Sequence, residues 1–320
     1  MATSPGGYRE LNIHTRVIVD EALDRNIEVE IVDPAVGELC LRYGNRRVTT
    51  LESLSELTSA VAFRRCDDKL LTRRVLEDAK LPVAPGRMAT YDDGDREFLR
   101  RHREVVVKPA RGEQGRGITV GVTTARSLHR ACLFARRYWP EVLIEQRCHG
   151  EDLRAVVIDG AVVAAAVRRP PAVTGDGTST IAQLIDAYNR RQARTTGANS
   201  VIPVDEVTGD TVRGAGYAGL DRVLPAGETL IVRGTANVHT GGTITDVTAE
   251  VHPDLAQLAV SAAAAVGLPV AGIDLIVDAL ESPDGVIIEV NEQPGLANHD
   301  PHPTAARFID LLFPETRRPV

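Results

Sequence analysis

Between two β-branched runs, the segment VVVKPARGEQGRGITV at positions 105–120 places a lysine and three closely spaced glycines. That order calls for a strand, a loop able to pass close to an anion, and a returning strand. Glycines let a backbone approach a phosphate and aim N–H groups at it, while Lys108 at the strand end and Arg111 and Arg116 in the loop supply positive charge. The expectation is a phosphate-covering hairpin built on Gly112, Gly115 and Gly117. Taken by itself, the segment also fits a glycine-rich hairpin with solvated arginines.

Composition narrows the partners. With 320 residues, 43% of them hydrophobic, the chain can build the cores of two domains or of one large domain with several lobes. A net charge of −7 argues against nucleic acid as a partner, and 4% aromatic residues leave little surface for stacking bases. No apolar run is long enough to span a membrane, and the opening MATSPGG lacks the charged and apolar regions of a signal peptide, so a cytoplasmic protein with no membrane partner is expected. Cys40, Cys66, Cys132 and Cys148 show no C-x-x-C spacing and read as small buried or half-buried residues. Neither a G-x-x-x-x-G-K-S/T loop nor a strand-linked G-x-G-x-x-G is present. Serine-nucleophile motifs and histidine pairs at helical spacing are also missing.

Along the chain, a helix over 11–26 precedes strands at 27–32, 38–43 and 46–50, the last two turning at Gly44-Asn45. Asp67 is expected to cap a helix running to Lys80 with Leu71, Val75 and Ala79 on its buried face. Lys69 then stands in the first turn, where a cation opposes the helix dipole by roughly 0.3–1 kcal/mol unless Asp67 and Asp68 offset it. A helix at 127–138 and a strand at 141–147 follow. Strands at 153–158 and 161–167 flank Asp159-Gly160, and a helix covers 181–191. The polar stretch 192–222 has no readable period. Beyond it come a strand at 230–233, a loop at 235–243, a helix at 253–266 closed by Gly267, strands at 270–277 and 286–290, and a helix at 304–313.

The last two strands carry the second signal. Glu289 and Asn291 lie two apart and share a face, and Asp274 stands on the neighbouring strand, made antiparallel by the connection. They can be solvent-face residues, but the runs VAGIDLIV (270–277) and VIIEV (286–290) are otherwise apolar, and a carboxylate in such a strand needs a cation. Magnesium, with manganese as the alternative, accepts hard oxygen donors of this kind and fills its remaining positions with water and phosphate.

Lysine, lysine with glycine loop, hinge strand and Asp…Glu-x-Asn occur here in the order that resembles the ATP-grasp superfamily of carboxylate–amine ligases, over nearly all of residues 60–300. EDLR (151–154), RRPPAVTGDG (168–177) and RGTANVHTGG (233–242) are similar to the ATP-grasp part of cyanophycin synthetases. NEQPGLANH (291–299) with AARFIDLLF (305–313) is nearer to N-acetylglutaminylglutamine synthetases. The Mur-ligase-like and acetyltransferase-like parts of those longer enzymes have no counterpart in this sequence, so substrate identity does not carry over.

The resemblance implies an α+β ATP-grasp fold of two lobes gripping ATP. A short α/β unit would occupy 1–66, a nucleotide lobe 67–147, and a metal and substrate lobe 148–320. It implies that Lys69 and Lys108 touch ATP phosphates, that Glu145, Gln146 and Cys148 lie on the hinge near adenine, and that Glu151, or Asp152 beside it, holds the ribose. Arg154, Arg168 and Arg233 would neutralise an acyl phosphate, guanidinium being suited to that anion. Read from the residues alone, Glu145 on an edge-like strand and Glu151 are equally surface residues, and each arginine is equally a structural ion pair. His239 and His299 read as loop histidines, solvated or touching substrate. The activity implied is an ATP- and Mg²⁺-dependent ligase joining a carboxylate, from an amino acid or short peptide and in one reading N-acylated, to an amine. Alternatives are a ligase of the same fold acting on a carrier, peptide or metabolite, and a catalytically silent nucleotide-binding module. Partners would be small molecules, with homo-oligomer formation left open.

Overall fold

The computed structural model describes residues 5–112, 115–195, 201–236, 238–299 and 302–318. Helix α1 (Ile13–Asp24) begins where the Asn12 side chain accepts the Thr15 N–H. Strands β1 (Glu28–Asp33), β2 (Glu38–Tyr43), β3 (Arg46–Leu51) and β4 (Leu54–Ser55) pair antiparallel in sequence order. Two short helices follow, α2 (Ala60–Asp67) and α3 (Lys69–Asp78). Next come β5 (Gly86–Met88), α4 (Asp93–His102), β6 (Val105–Pro109), β7 (Thr119–Val122), α5 (Ala125–Arg136) and β8 (Val142–Gln146). Strands β9 (Glu151–Ile158) and β10 (Ala161–Arg169) turn at Asp159 and Gly160, both with positive φ as a tight hairpin turn requires. The remainder comprises β11 (Ala172–Thr174), α6 (Ile181–Thr195), α7 (Glu206–Gly214), β12 (Thr229–Ile231), β13 (Thr243–Asp246), α8 (Pro253–Val266), β14 (Val270–Val277), β15 (Gly285–Asn291) and α9 (Thr304–Leu312).

Contacts divide the chain into two compact units, 1–84 with 153–166 and 246–320, and 85–152 with 167–245. This division differs from boundaries after 66 and 147, because the segments 153–166 and 246–320 cluster with the first 84 residues. The first unit holds most of a five-stranded sheet in the order β13-β10-β9-β14-β15. Its core joins Ile18 and Val19 of α1, Leu39 and Leu41 of β2, Val156 and Ile158 of β9, Val270 of β14, and Phe308 with Phe313 at the chain's end. In the second unit a sheet ordered β5-β8-β6-β7 packs Val105, Val107 and Ile144 against Leu128, Cys132 and Ala135 of α5. A satellite core of Ile181, Ile185, Val212 and Leu224 sits under the two-stranded sheet β11-β12.

Three expectations are corrected. Asp67 ends α2, an element the sequence reading lacked, and it is Asp68 whose carboxylate accepts the Leu70 and Leu71 N–H groups to cap α3. The buried face of α3 is Thr72 and Leu76, since the side against α8 is set by tertiary packing rather than by the most apolar stripe. Strand β8 is internal, flanked by β5 and β6, so Glu145 is not on an edge. The stretch 192–222, without a readable period, contains α7, capped by Asp205, and α4 and β5 are likewise elements that local periodicity does not mark.

Arg25 ties the C-terminal helix to α1. Its guanidinium reaches Asp310 at 2.5 Å and Glu21 at 2.6 Å and donates to the Ala306 carbonyl at 3.0 Å, with only 3% of its side chain exposed. Removing Asp310 leaves this buried guanidinium with the Glu21 carboxylate, which compensates the charge only in part. Asp310→Ala is therefore expected to lower the unfolding free energy of the chain by about 3 kcal/mol in urea titration.

Candidate active site

The ladder between β14 and β15 sets Asp274 directly opposite Glu289 and Gly272 opposite Asn291, so these residues share one face of the sheet. Like charges directly opposite repel, and Asp274 is only 4% exposed. Each carboxylate accordingly has its own cation. Arg154 of β9 brings Nη1 to 2.7 Å from Asp274 Oδ1, and Lys69 brings Nζ to 3.0 Å from Glu289 Oε1. The Arg154 guanidinium lies close over Gly272, where a Cβ would stand 2.8–2.9 Å from its Nε, Cζ and Nη2 and would push the group aside. Lys69 occupies the first position of α3, where the Asp68 cap offsets its unfavourable place on the helix dipole. The Asn291 side-chain amide donates to the Gly272 carbonyl at 3.4 Å.

Cys66 of α2 anchors this end of β15. Its thiol donates to the Val290 carbonyl at 2.9 Å and lies 3.1 Å from Glu292 Oε2. Burial, followed by the negative charge of Glu292, pushes the thiol far above its ordinary range and keeps it protonated. Among the described residues no group of three or more His, Cys, Asp or Glu forms a ready metal cage. Two carboxylates and an amide on one sheet face nevertheless suit a magnesium-type ion, which takes few protein oxygens and keeps the rest of its shell for water and phosphate.

His299 closes the short turn Leu296–His299 and is 5% exposed. Its Nδ1 is buried and finds no hydrogen-bond partner among the described residues. Burial, and then the Arg154 charge, lower its pKa to about 4, with Asp246 opposing and His302 and His14 adding to the shift. The neighbouring histidines are engaged, His302 Nε2 with Asp246 Oδ1 at 2.9 Å and His14 Nδ1 as acceptor of the Ala297 N–H at 3.2 Å. Loop position in the sequence gave no sign that His299 is buried. His239 has a side chain outside the described residues.

In the second unit Lys108 Nζ and Glu145 Oε2 stand 2.6 Å apart, at 4% and 7% residue exposure. They are cross-strand neighbours on β6 and β8, where Lys108 pairs with Leu143 and Val106 with Glu145. At the start of the glycine loop the Arg111 guanidinium stacks on Trp139, 4.8 Å from the ring centre. Gly117 has φ +75°, and a Cβ there would meet the Tyr138 ring at 2.7 Å. Gln146 faces His102 across 3.1 Å, and Cys148 is half-buried with a thiol raised by burial and then by Glu145.

Asp152 accepts from Arg168 at 2.7 and 3.1 Å, whereas Glu151 forms a more exposed pair with Arg169 at 3.3 Å. Arg233 Nη1 donates to Asp205 Oδ1 at 2.7 Å and to Thr208 Oγ1 at 2.9 Å. Although burial pushes Asp205 upward, the Thr208 N–H and Arg233 hold its carboxyl below the usual range. The structure thus gathers Lys69, Arg154, Asp274, Glu289 and Asn291 in one cluster, pairs Lys108 with Glu145, and ties Arg168 and Arg233 to Asp152 and α7 respectively.

A pH dependence follows from His299. An unfolded imidazole binds its proton near pH 6.5 and the folded one only near 4, so stability present above pH 6.5 is lost as pH falls toward 4. Between pH 7 and pH 4 the wild type should lose up to about 3 kcal/mol more unfolding free energy than His299→Leu, measured by urea denaturation at each pH.

Residues 217–304 match the RimK-like ATP-grasp domain. Cyanophycin synthetase from Synechocystis sp. is 35% identical over 97% of this chain, which spans 37% of that protein. The bifunctional glutathione biosynthesis protein GshAB of Clostridium perfringens is 26% identical over 96% of the chain, covering 42% of its own length. The chain therefore spans well under half of these relatives. Among solved structures, a bifunctional glutathione synthetase from Pasteurella multocida superimposes with TM-score 0.65 at 25% identity, over 96% of this chain and 44% of that one. D-alanine–D-alanine ligase from Bacillus anthracis (TM-score 0.52, 15% identity, 81% of this chain and 70% of that one) shares the fold. Among the described residues no helix is long and apolar enough to cross a membrane.

Proposed function

Because the chain is an α+β ATP-grasp protein, homologous over most of its length to cyanophycin synthetase and to GshAB, we propose that it is an ATP-dependent ligase joining a carboxylate to an amine. A carboxylate oxygen of the acid bonds to the γ-phosphorus of ATP as the bond to ADP breaks, giving an acyl phosphate. The amine nitrogen then bonds to the acyl carbon, the carbon–oxygen bond to phosphate breaks, and the amine gives up a proton. The acid and amine are amino acids or short peptides, the acid N-acylated in the narrower reading, and the reaction runs in the cytosol.

The observation that carries this reading is the Asp274–Glu289 cross-strand pair with Asn291 on the same face. A magnesium or manganese ion held by these three residues would supply positive charge to the transferring phosphoryl group. The chain's own contribution is preorganised charge and exclusion of water. Lys108 and Lys69 attract nucleotide phosphates, Lys108 held by Glu145 and Lys69 by Glu289. Gly112, Gly115 and Gly117 let the loop backbone approach those phosphates. Glu145, Gln146 and Cys148 border adenine, with the backbone of β8 as the reader, and Glu151 accepts from the ribose hydroxyls. Arg154, Arg168 and Arg233 stabilise the acyl phosphate, each oriented by a carboxylate. A side-chain nucleophile is not needed.

Incubation with ATP, magnesium and pooled amino acids and N-acetyl amino acids should release ADP and give an amide product by mass spectrometry. Glu289→Gln should cut that ADP release at least about a hundredfold. Undiminished turnover would remove the proposed ion site. Gly115 has φ +75°, which proline cannot adopt, so Gly115→Pro should lower kcat more than it weakens ADP binding by calorimetry. An unchanged kcat would contradict a loop that closes over phosphate.

A further inference from the structure

We propose that Thr208 is a positioning residue for the ligation: its hydroxyl and the Asp205 carboxylate together fix the Arg233 guanidinium beside the glycine loop, and the module of α6, α7 and the β11–β12 sheet is the part of the chain that presents this cation. The inference rests on the ligase reading above and on the part given there to Arg233. It is carried by a set of contacts that all lie inside the second unit. Arg233 Nη1 donates to Asp205 Oδ1 at 2.7 Å and to Thr208 Oγ1 at 2.9 Å. The Thr208 hydroxyl in turn donates to the Pro203 carbonyl at 2.5 Å, and the residue is fully buried. Its N–H donates to Asp205 Oδ1 at 3.0 Å, so the cap of α7 and the grip on Arg233 are one arrangement.

The backbone around Arg233 is held by the same module. Val232 is buried in the satellite core with Ile181, Ile185, Ile202 and Val212, and its N–H donates to the Pro171 carbonyl at 3.0 Å. Further on, the Gly241 carbonyl accepts from the Tyr188 hydroxyl of α6 at 2.6 Å, and a Cβ at Gly241 would collide with the Ile202 side chain. Asn189 fixes Ile202 by exchanging hydrogen bonds with its backbone at 2.7 and 3.0 Å. The residues directly after Arg233 lie against the glycine loop. A Cβ at Gly115 would stand 3.6 Å from Thr235 Oγ1, and one at Gly234 would stand 3.5 Å from Val120 Cβ.

A guanidinium binds phosphate best through two parallel N–H bonds, which requires its plane to be set beforehand. A single carboxylate partner lets the group turn about one contact. A second acceptor on the same nitrogen removes that turn, because Asp205 and Thr208 take both hydrogens of Nη1 and the Nε–Nη2 edge lies outside these bonds. Thr208 does this without adding negative charge, so the cation keeps more of its field for an anion than it would between two carboxylates. Charge fixed in this way needs no reorganisation as a phosphoryl group is transferred.

The test uses the full chain with ATP, magnesium, pooled amino acids and N-acetyl amino acids, and hydroxylamine, which captures an acyl phosphate as a hydroxamate. Thr208→Val keeps the volume and loses the acceptor. It should lower hydroxamate formation at saturating ATP about tenfold, with the Kd for ADP by calorimetry within about twofold of wild type. Thr208→Ser restores the hydroxyl and should recover turnover to within about threefold. In an Arg233→Lys chain, which lacks the Nη1 that Thr208 holds, the valine change should cost less than about twofold more. A further tenfold loss in that background, or serine and valine variants that behave alike, would overturn the assignment and leave Thr208 a structural residue of α7. If the valine variant does not fold, Asp205→Asn, which keeps the cap and removes the charge, takes its place in the same cycle with Arg233→Lys. An Arg233→Lys chain as active as wild type would overturn the part given to Arg233 and this inference, while leaving the ligase reading intact. A wild type that forms neither ADP nor hydroxamate would overturn the ligase reading, and this inference with it.

Discussion

Two carboxylates facing each other across an antiparallel ladder form the constraint around which the first unit is arranged. Asp274 and Glu289 repel, and no rearrangement of β14 against β15 relieves this without breaking the register that buries the flanking Ile273, Leu275 and Val290. Relief comes from outside the ladder. Arg154 reaches Asp274 across Gly272, and Lys69 at the start of α3 reaches Glu289. The short α2, pinned by the Cys66 thiol to the Val290 carbonyl, fixes where α3 starts. Such an arrangement is weak evidence for stability, since desolvation offsets much of what an ion pair gains. Its value lies in holding negative oxygens in place where a phosphate-bound cation can use them.

The second unit repeats this economy with the charges exchanged. Lys108 is the buried cation and Glu145 its counter-charge, on neighbouring internal strands. Arg168 and Arg233 are likewise held by Asp152 and by Asp205 with Thr208. Fixed dipoles and charges need no reorganisation when charge develops on a substrate, and phosphoryl and acyl transfer depend on little else. Side chains of this kind are costly to bury singly, which is why each has a partner from a separate element.

Much of this was legible in the sequence because it follows local periodicity. The two-residue spacing of Glu289 and Asn291 in an apolar strand, the Asp159-Gly160 turn, and the Pro253 to Gly267 helix limits each depend on neighbouring residues only. Lys69 at a helix start was legible as an anomaly, and Glu289 supplies its explanation. What was not legible depends on contacts distant in sequence. Asp205 meets Arg233 across 28 positions, Arg154 meets Asp274 across 120, and the burial of His299 arises from packing of the turn that carries it. Strand β8 looked like an edge because β5, which covers it, is three residues long and carries no alternation. Asp67 and Asp68 are equivalent as caps until α2 is known to end on the first of them.

The account depends on Asp274, Glu289 and Asn291 acting as oxygen donors to a divalent ion that accompanies a nucleotide. Anomalous diffraction from crystals grown with manganese and ADP tests this directly. A manganese peak within bonding distance of oxygens from Asp274, Glu289 and Asn291 is the predicted result. Bound ADP with manganese elsewhere, and Lys69 and Arg154 still paired with those carboxylates, would contradict it.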